Sequence, residues 1–571
     1  MHDLLIRGAT LVDGTGAPAC TADVAVANGR FSAVGRDLGP ARRAIDAEGL
    51  LLTPGWVDIH THYDGQATWD PWLTPSSWHG VTTAVFGNCG VGFAPVRPGT
   101  ERYLIQLMEG VEDIPETVLA EGIDFRWESF PQYLDVLESM PRILDVGAQM
   151  PHAALRFYVM GERGADHAAR PTEGEITRMG ELLEDALRAG ALGFTTSRTI
   201  KHKAKDGRYT PSLSAADPEL AGIALAMRRA GRGVIEVNSD FGDGDFARLR
   251  AAAELAGRPL SVLLLQVNNA PALWRETLAG IHAARRAGLE VTGQVGSRPI
   301  GVMMALEGSV HPIVAHPLWK TMAALSPRES GERLQRDAGL RRRLWAERPG
   351  DGYTSWIAGM LDRTFRLDEP LDYEPHPDAS VGAQARRTGR DPFDVALEWL
   401  LEQDGKQILM HTFENYTGGD LEVVRELLED DATVCGLADA GAHVGFLCDA
   451  GSATSMLTHW TRSRTRGPRL PLELLVKKQT RDTARTYGLL DRGMIAPGCK
   501  ADFNLIDHAR LRVRKPYLAY DLPAGGKRML QKADGYRHTF VSGVEVMHDG
   551  EPTGALPGRL IRGSTEAPAA G

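Results

Sequence analysis

Cysteine is scarce in this chain: there are five in 571 residues, Cys20, Cys89, Cys435, Cys448 and Cys499, scattered and odd in number. That set excludes a disulfide framework and fits a reducing cytoplasm. Apolar runs long enough to span a bilayer, about 18 residues or more, are absent, so a membrane partner is not expected. The first residues lack the basic stretch and long apolar stretch of a signal peptide. Basic charge is not in excess: 64 Lys and Arg stand against 74 Asp and Glu, a net charge of −10. Nucleic-acid binding relies on basic patches, so no such partner is expected. What the chain has is apolar bulk, 43% of its residues, enough for a substantial core. Its length points to one large domain plus a smaller one, since α/β barrels can exceed the usual domain size of about 250 residues.

Short β elements come first. Residues 2–13 read as a strand and turn, and 22–26 with 30–34 as a hairpin around Asn28-Gly29. From Trp56 onward, strands and helices alternate over roughly 400 residues by the usual periodicity rules. Strands are expected at 81–86, 144–149, 191–196, 233–238, 260–267, 289–295 and 433–437, with helices such as 173–189 and 218–230 between them. Alternation of this kind predicts a parallel sheet covered by helices, and about eight units favour closure into a (β/α)8 barrel. Residues 310–400 interrupt the rhythm. Within them 329–347 reads as a charged, solvated helix and 368–378 as loop. The C-terminal part returns to β structure around 501–506 and 539–546. The expected architecture is therefore an α/β fold in three parts. A TIM-type barrel covers 56–489 with an insert at about 310–400. A small β-sandwich is formed by 1–55 and 490–560. A disordered tail covers 563–571.

The strongest chemical signal is Pro54-Gly55-Trp56-Val57-Asp58-Ile59-His60-Thr61-His62. Alternate residues of a strand point the same way, so His60 and His62 face one side, about 6.5–7 Å apart at the backbone. Two imidazoles in that geometry can converge on one metal ion, and the C-terminal ends of barrel strands are where active sites form. An H-x-H pair can also be two surface histidines; the apolar run and Pro-Gly before this pair favour metal binding. Asp439 follows the apolar run Val434-Cys435-Gly436-Leu437. Its bland reading is an ordinary helix cap. His443, four residues on, can orient substrate or bind metal.

These segments resemble the amidohydrolase superfamily and, within it, the D-aminoacylase (N-acyl-D-amino-acid deacylase) branch. The resemblance runs over nearly the whole chain. Its frame is I-R-G-A-T-L-V-D-G-T-G at 6–16, the His60/His62 segment, and I-A-P-G-C-K-A-D-F-N-L-I-D at 495–507. G-N-C-G-V-G-F-A-P at 87–95 and M-E-G-V-E-D-I-P at 108–115 mark the branch. The resemblance implies a (β/α)8 barrel with a β-sandwich, Cys89 as a zinc ligand, and Asp439 as the catalytic carboxylate at the end of strand eight.

Two departures stand out. The relatives carry metal-binding histidines at the ends of strands five and six, where this chain has Asn238 and Gln266. Both are neutral oxygen donors, weaker for zinc than imidazole. A metal is therefore expected on His60, His62, Cys89 and Asp439, one zinc ion rather than two. The lysine and arginine that clamp the substrate carboxylate in the relatives also lack counterparts, although a guanidinium fork is the preferred carboxylate clamp. Asn238, Gln266, Arg298, His443 and Arg198 remain as substrate-binding candidates. Lys201, His202 and Lys203 could supply positive charge from another direction, although Lys201 to Lys205 read more readily as a solvated basic run. The expected activity is hydrolysis of an amide C–N bond in a small molecule, with an N-acyl-D-amino acid as the inherited substrate. Hydrolysis of a cyclic amide, ester or lactone is the alternative, and a non-catalytic barrel scaffold is the reading from another class. A homo-oligomer is compatible with the sequence.

Overall fold

The structure, a computed structural model, describes residues 1–242, 244–322, 325–347 and 352–568. Its centre is a set of parallel strands. Trp56–Asp58, Val81–Phe86 and Asp145–Ala148 form a three-stranded parallel sheet. Met150–Pro151, Gly193–Arg198, Val234–Ser239, Leu260–Leu263, Val291–Val295 and Thr433–Cys435 form a six-stranded parallel sheet, in that spatial order. All six residues of Val81–Phe86 and all six of Gly193–Arg198 are buried, as expected when helices cover the outer face and side chains fill the inner one.

A single closed barrel was expected, but the ladders fall into two sheets. At one seam the chain itself runs from Asp145–Ala148 into Met150–Pro151. At the other seam the residues beyond the strand ends are bonded: Asp439 N–H donates to His60 O (3.1 Å), and His62 N–H donates to Ala440 O (2.8 Å). That second seam sets His60, His62 and Asp439 side by side.

The insert is more structured than periodicity indicates. Ile300–Met304 and Leu409–Glu414, which flank it, and Thr364–Arg366 within it form an antiparallel three-stranded sheet with its own apolar cluster, including Val302, Ile313, Leu334, Leu344 and Leu400. The charged stretch at 329–347 splits into Pro327–Arg336 and Ala338–Ala346, because the Asp337 side chain accepts from Leu340 N–H and caps a new helix. Leu334 and Leu344 are fully buried, so these helices are amphipathic rather than solvated all round.

Both chain ends enter one nine-stranded sheet. His2–Leu11 pairs with Cys20–Ala27, Ala41–Asp46 and Leu51–Pro54, and Leu51–Pro54 pairs with Phe503–Ile506. The hairpin between Cys20–Ala27 and Arg30–Gly35 turns at Asn28 (φ 51°) and Gly29 (φ 73°), the positive φ pair that a two-residue hairpin needs. Phe503 stacks on Phe540 at 4.4 Å within the apolar cluster of this sheet. The tail, expected to be disordered, is bonded at least to Thr565: Gly563 N–H donates to Gly190 O (2.8 Å) and Thr565 N–H to Gly488 O (3.0 Å). Residues 569–571 lie outside the described residues. No helix among the described residues is long and apolar enough to cross a membrane.

Candidate functional site

His60 is fully buried. Its Nδ1 lies 3.0 Å from Gln294 Oε1. An amide oxygen only accepts, so Nδ1 carries the proton and the Nε2 lone pair is free. That lone pair faces Cys89 Sγ at 3.4 Å and Asp439 Oδ1 at 3.3 Å. His62 Nε2 lies 3.6 Å from the same Asp439 oxygen, and its Nδ1 lies 3.4 Å from Glu112 Oε1. Fixing the far ring nitrogen in this way is how proteins orient metal-binding imidazoles.

Cys89 sits in the tight turn Asn88–Gly90 after Val81–Phe86, at φ 55°. Its N–H donates to Glu236 Oε2 (3.1 Å), and Asn238 Nδ2 donates to its sulfur (3.5 Å). Gly90 is required beside it. At φ +68° a Cβ would stand 2.7 Å from Ser197 N and 2.9 Å from Thr196 Cα, so no side chain fits between this turn and the neighbouring strand. Across the site, Leu437, Asp439 and His443 all have positive φ (59°, 45° and 49°). Three non-glycine residues in that region within seven positions store strain, which collects at functional sites.

The donor atoms of His60, His62 and Cys89 all lie within 4.8 Å of one another. Asp439 Oδ1 and Glu236 Oε1 are buried without a hydrogen-bond partner, and Glu112 Oε1 and His62 Nδ1 face each other at ion-pair distance without one. Buried acceptors rarely go unpaired, and Asp439 Oδ1 stands beside both imidazoles. Two imidazoles and a thiol suit a borderline-soft divalent ion such as zinc, so the residues present fit a metal.

The electrostatics agree. Burial raises Glu112 to about 7 and Glu236 to about 8, with the Asp439 charge adding to both shifts. Burial raises Asp58 to about 7 and Asp64 to about 6, and pushes the Cys89 thiol well up, helped by Glu236 and Glu112. Burial lowers His60 to about 4. For His62 burial acts downward but is outweighed by Glu112 and Asp439, leaving it at about 9. Asp439 is held far below the usual carboxylate range: burial opposes, and the close approach of His62, with His60 beside it, outweighs it. An excess of buried acids around two imidazoles is an environment that a cation would balance.

The structure brings together His60, His62, Cys89, Asp439 and Asn238. His443 is close by, with Nε2 3.3 Å from Glu112 Oε2. Gln266 is turned to a structural task, its Oε1 accepting from Thr417 N–H (3.1 Å). Arg198 and Arg298, substrate-binding candidates by sequence, are paired with internal carboxylates. Arg198 Nε donates to both oxygens of Asp245 (2.9 and 3.0 Å) and its Nη1 to Ala215 O. Arg298 is paired with Asp449 (2.9 Å), donates to Cys448 O, and lies over the Tyr373 ring. Both guanidinium groups are buried and paired, as a buried cation must be, and Arg298 Nη1 is left without a hydrogen-bond partner. The basic run is also engaged: Lys201 pairs with Glu414 (2.8 Å) and Lys205 with Glu109 (2.7 Å), while His202 turns inward. Glu112, Glu236 and Gln294 join the centre beyond the residues that the sequence points to. Glu236 had a readable signal, a lone acid inside the apolar run Val234-Ile235-Glu236-Val237. Beside Asp439, a cleft is lined by Gln66, Ala442, Leu447, Arg528 and Met529.

The chain matches the amidohydrolase family over residues 43–343 and 358–547. It is 32% identical to the D-aminoacylase of Alcaligenes xylosoxydans xylosoxydans, covering 98% of this chain and 97% of that protein. It is 27% identical to the N-acyl-D-glutamate deacylase of the same organism, covering 98% and 96%. Among solved structures, it is similar to the N-acyl-D-glutamate deacylase of Bordetella bronchiseptica, complexed with zinc and a phosphonate inhibitor. The TM-score is 0.64 at 25% identity, with 98% of this chain and 99% of that one covered.

Proposed function

We propose that this chain, which belongs to the amidohydrolase family and to its D-aminoacylase branch, is a hydrolase that cleaves the amide bond of a small N-acylated molecule at the His60–His62–Cys89–Asp439 centre. The observation that carries this reading is the convergence of three metal-type donors within 4.8 Å beside an unpartnered, buried Asp439 oxygen. His60 Nε2, His62 Nε2 and Cys89 Sγ would hold one divalent ion, zinc by the chemistry of the donors, with Asp439 beside it. Such an ion supplies Lewis acidity to the scissile carbonyl and to the attacking water. Asp439, kept ionised by the two histidines, accepts a proton from that water at its Oδ atoms and delivers it to the departing nitrogen. Glu112 and Gln294 hold the two rings in place. A scaffold without chemistry has no use for this concentration of buried acids.

For the substrate, the deacylase relatives support an N-acyl-D-amino acid. A second reading, a neutral cyclic amide or ester, is favoured by one observation: Arg198 and Arg298 are both consumed by internal carboxylates. Purified, zinc-reconstituted protein should be assayed against N-acyl-D-amino acids, their carboxamides, and cyclic amides and esters. Turnover of the acids in preference to their carboxamides supports the first reading. Turnover of only the neutral compounds supports the second. No hydrolysis of any C–N or ester bond by metal-loaded protein contradicts both.

A further inference from the structure

We infer that His202 and Asn238 form a positioning pair that aims and polarises the Cys89 sulfur. The inference rests on the reading of Cys89 as a metal ligand. Three hydrogen bonds run in series. Ser197 Oγ is 2.9 Å from His202 Nδ1, His202 Nε2 is 3.3 Å from Asn238 Nδ2, and Asn238 Nδ2 is 3.5 Å from Cys89 Sγ. The proton inventory fixes their direction. An amide NH2 group has two hydrogens and no lone pair to offer, so both of its contacts are acceptors. His202 Nε2 is therefore the unprotonated nitrogen, and Nδ1–H donates to Ser197 Oγ. The second amide hydrogen goes to the sulfur.

The parts are rigidly mounted. Asn238 lies on Val234–Ser239, two residues after Glu236, whose Oε2 accepts from Cys89 N–H at 3.1 Å. One strand thus grips Cys89 twice, at its backbone and at its sulfur. His202 lies on the loop after Gly193–Arg198. That loop is clamped at its base, where Ser212 Oγ donates to Ser197 O (2.8 Å) and Ser197 N–H donates to Ser212 Oγ (3.3 Å). It is clamped again near its tip by Thr210 N–H to His202 O (3.3 Å) and by the Lys203–Tyr209 bridge. An amide at a strand end can rotate about its terminal torsion. The His202 lone pair holds it in the orientation that sends a hydrogen to sulfur. His202 is thus a positioning residue, acting through Asn238. Its own lone pair is taken up, and it stands outside the three-donor group.

The test uses full-length protein loaded with cobalt, whose thiolate-to-metal charge-transfer absorption reports the sulfur directly. Cys89→Ser should abolish that absorption, which checks the underlying ligand reading by itself. Asn238→Ala should shift it and weaken cobalt affinity about 10–100-fold, the usual cost of losing an outer hydrogen bond to a ligand. His202→Ala should do the same, and the double variant should be no worse than either single one, as expected of groups in one chain. His202→Gln, which can present an acceptor near the Nε2 position, should recover most of the affinity. At saturation every variant except Cys89→Ser should bind as much cobalt as the parent, with unchanged circular dichroism. An absorption insensitive to Asn238→Ala and His202→Ala overturns the inference while leaving the metal reading intact. Loss of cobalt stoichiometry in His202→Ala also overturns it, by making His202 a ligand. A parent protein without the absorption overturns both.

Discussion

Replacing Asp439 by asparagine removes the proton acceptor and little else. Asparagine has the same shape, and it is among the residues that tolerate the left-handed backbone region, where Asp439 sits at φ 45°. The Asp439 N–H bond to His60 O, made by the backbone, is kept. What is lost is the negative charge 3.3 Å from His60 Nε2 and 3.6 Å from His62 Nε2. A positioned acid–base group contributes about 10²–10⁴ in rate, equivalent to about 3–5 kcal/mol at 1.36 kcal/mol per tenfold. The assay is the hydrolysis rate at saturating metal, so that weaker metal binding is not mistaken for lost proton transfer. Metal content and thermal unfolding are measured on the same preparation. The expected result is a rate lower by two to four decades with metal still bound and the fold kept. A variant within about threefold of the parent, well below the expected loss, would show that the proton moves through another group.

Two further perturbations address the frame of the site. Glu374→Gln should destabilise the protein by about 1.5–3 kcal/mol, the usual worth of hydrogen bonds to a charged group, because Arg464 keeps its second carboxylate, Glu422 at 2.7 Å. Arg464, itself buried, binds both Glu374 oxygens at 3.0 Å. Burial opposes the charge of Glu374, but the bonds from His459 and Arg464 outweigh it and bring the group from 4.5 to about 2. A depressed carboxylate contributes stability that is complete above its unfolded value and is lost as the pH falls through its folded one. Part of the parent's stability should therefore disappear between about pH 4.5 and 2, and that part of the profile should be missing in Glu374→Gln; identical acid-unfolding profiles would refute the pairing. Gly90→Ala should displace the Cys89 turn, through a Cβ 2.7 Å from Ser197 N, and weaken metal binding while leaving far-ultraviolet circular dichroism unchanged. Parent-like metal affinity would contradict the tight packing of that turn.

Much of the centre was legible in the sequence because the period of a strand is short and strict. His60 and His62 share a face by alternation alone, and the parallel strands were visible as apolar runs between helices. Glu236 was overlooked because a single acid inside such a run carries no periodic signal, although burial on both faces makes it significant. The pairing of the arginines carries no sequence signal for a different reason. Arg298 meets Asp449 across 151 positions, a distance over which charge pattern says nothing about pairing. The strands that bracket the insert carry no such signal, because Ile300–Met304 and Leu409–Glu414 pair antiparallel across a long excursion, with no turn joining them. His202 lay within a run of lysines and read as solvated. Only the fold of the loop turns it toward Asn238.

The most direct measurement is the metal content of the purified protein, parent against the His60→Ala/His62→Ala double variant, by elemental analysis after reconstitution with zinc and removal of excess. The account predicts one firmly held divalent ion per chain in the parent and its loss in the variant, together with the loss of hydrolysis. Stoichiometric metal retained in the variant, or a parent that binds none, would contradict it.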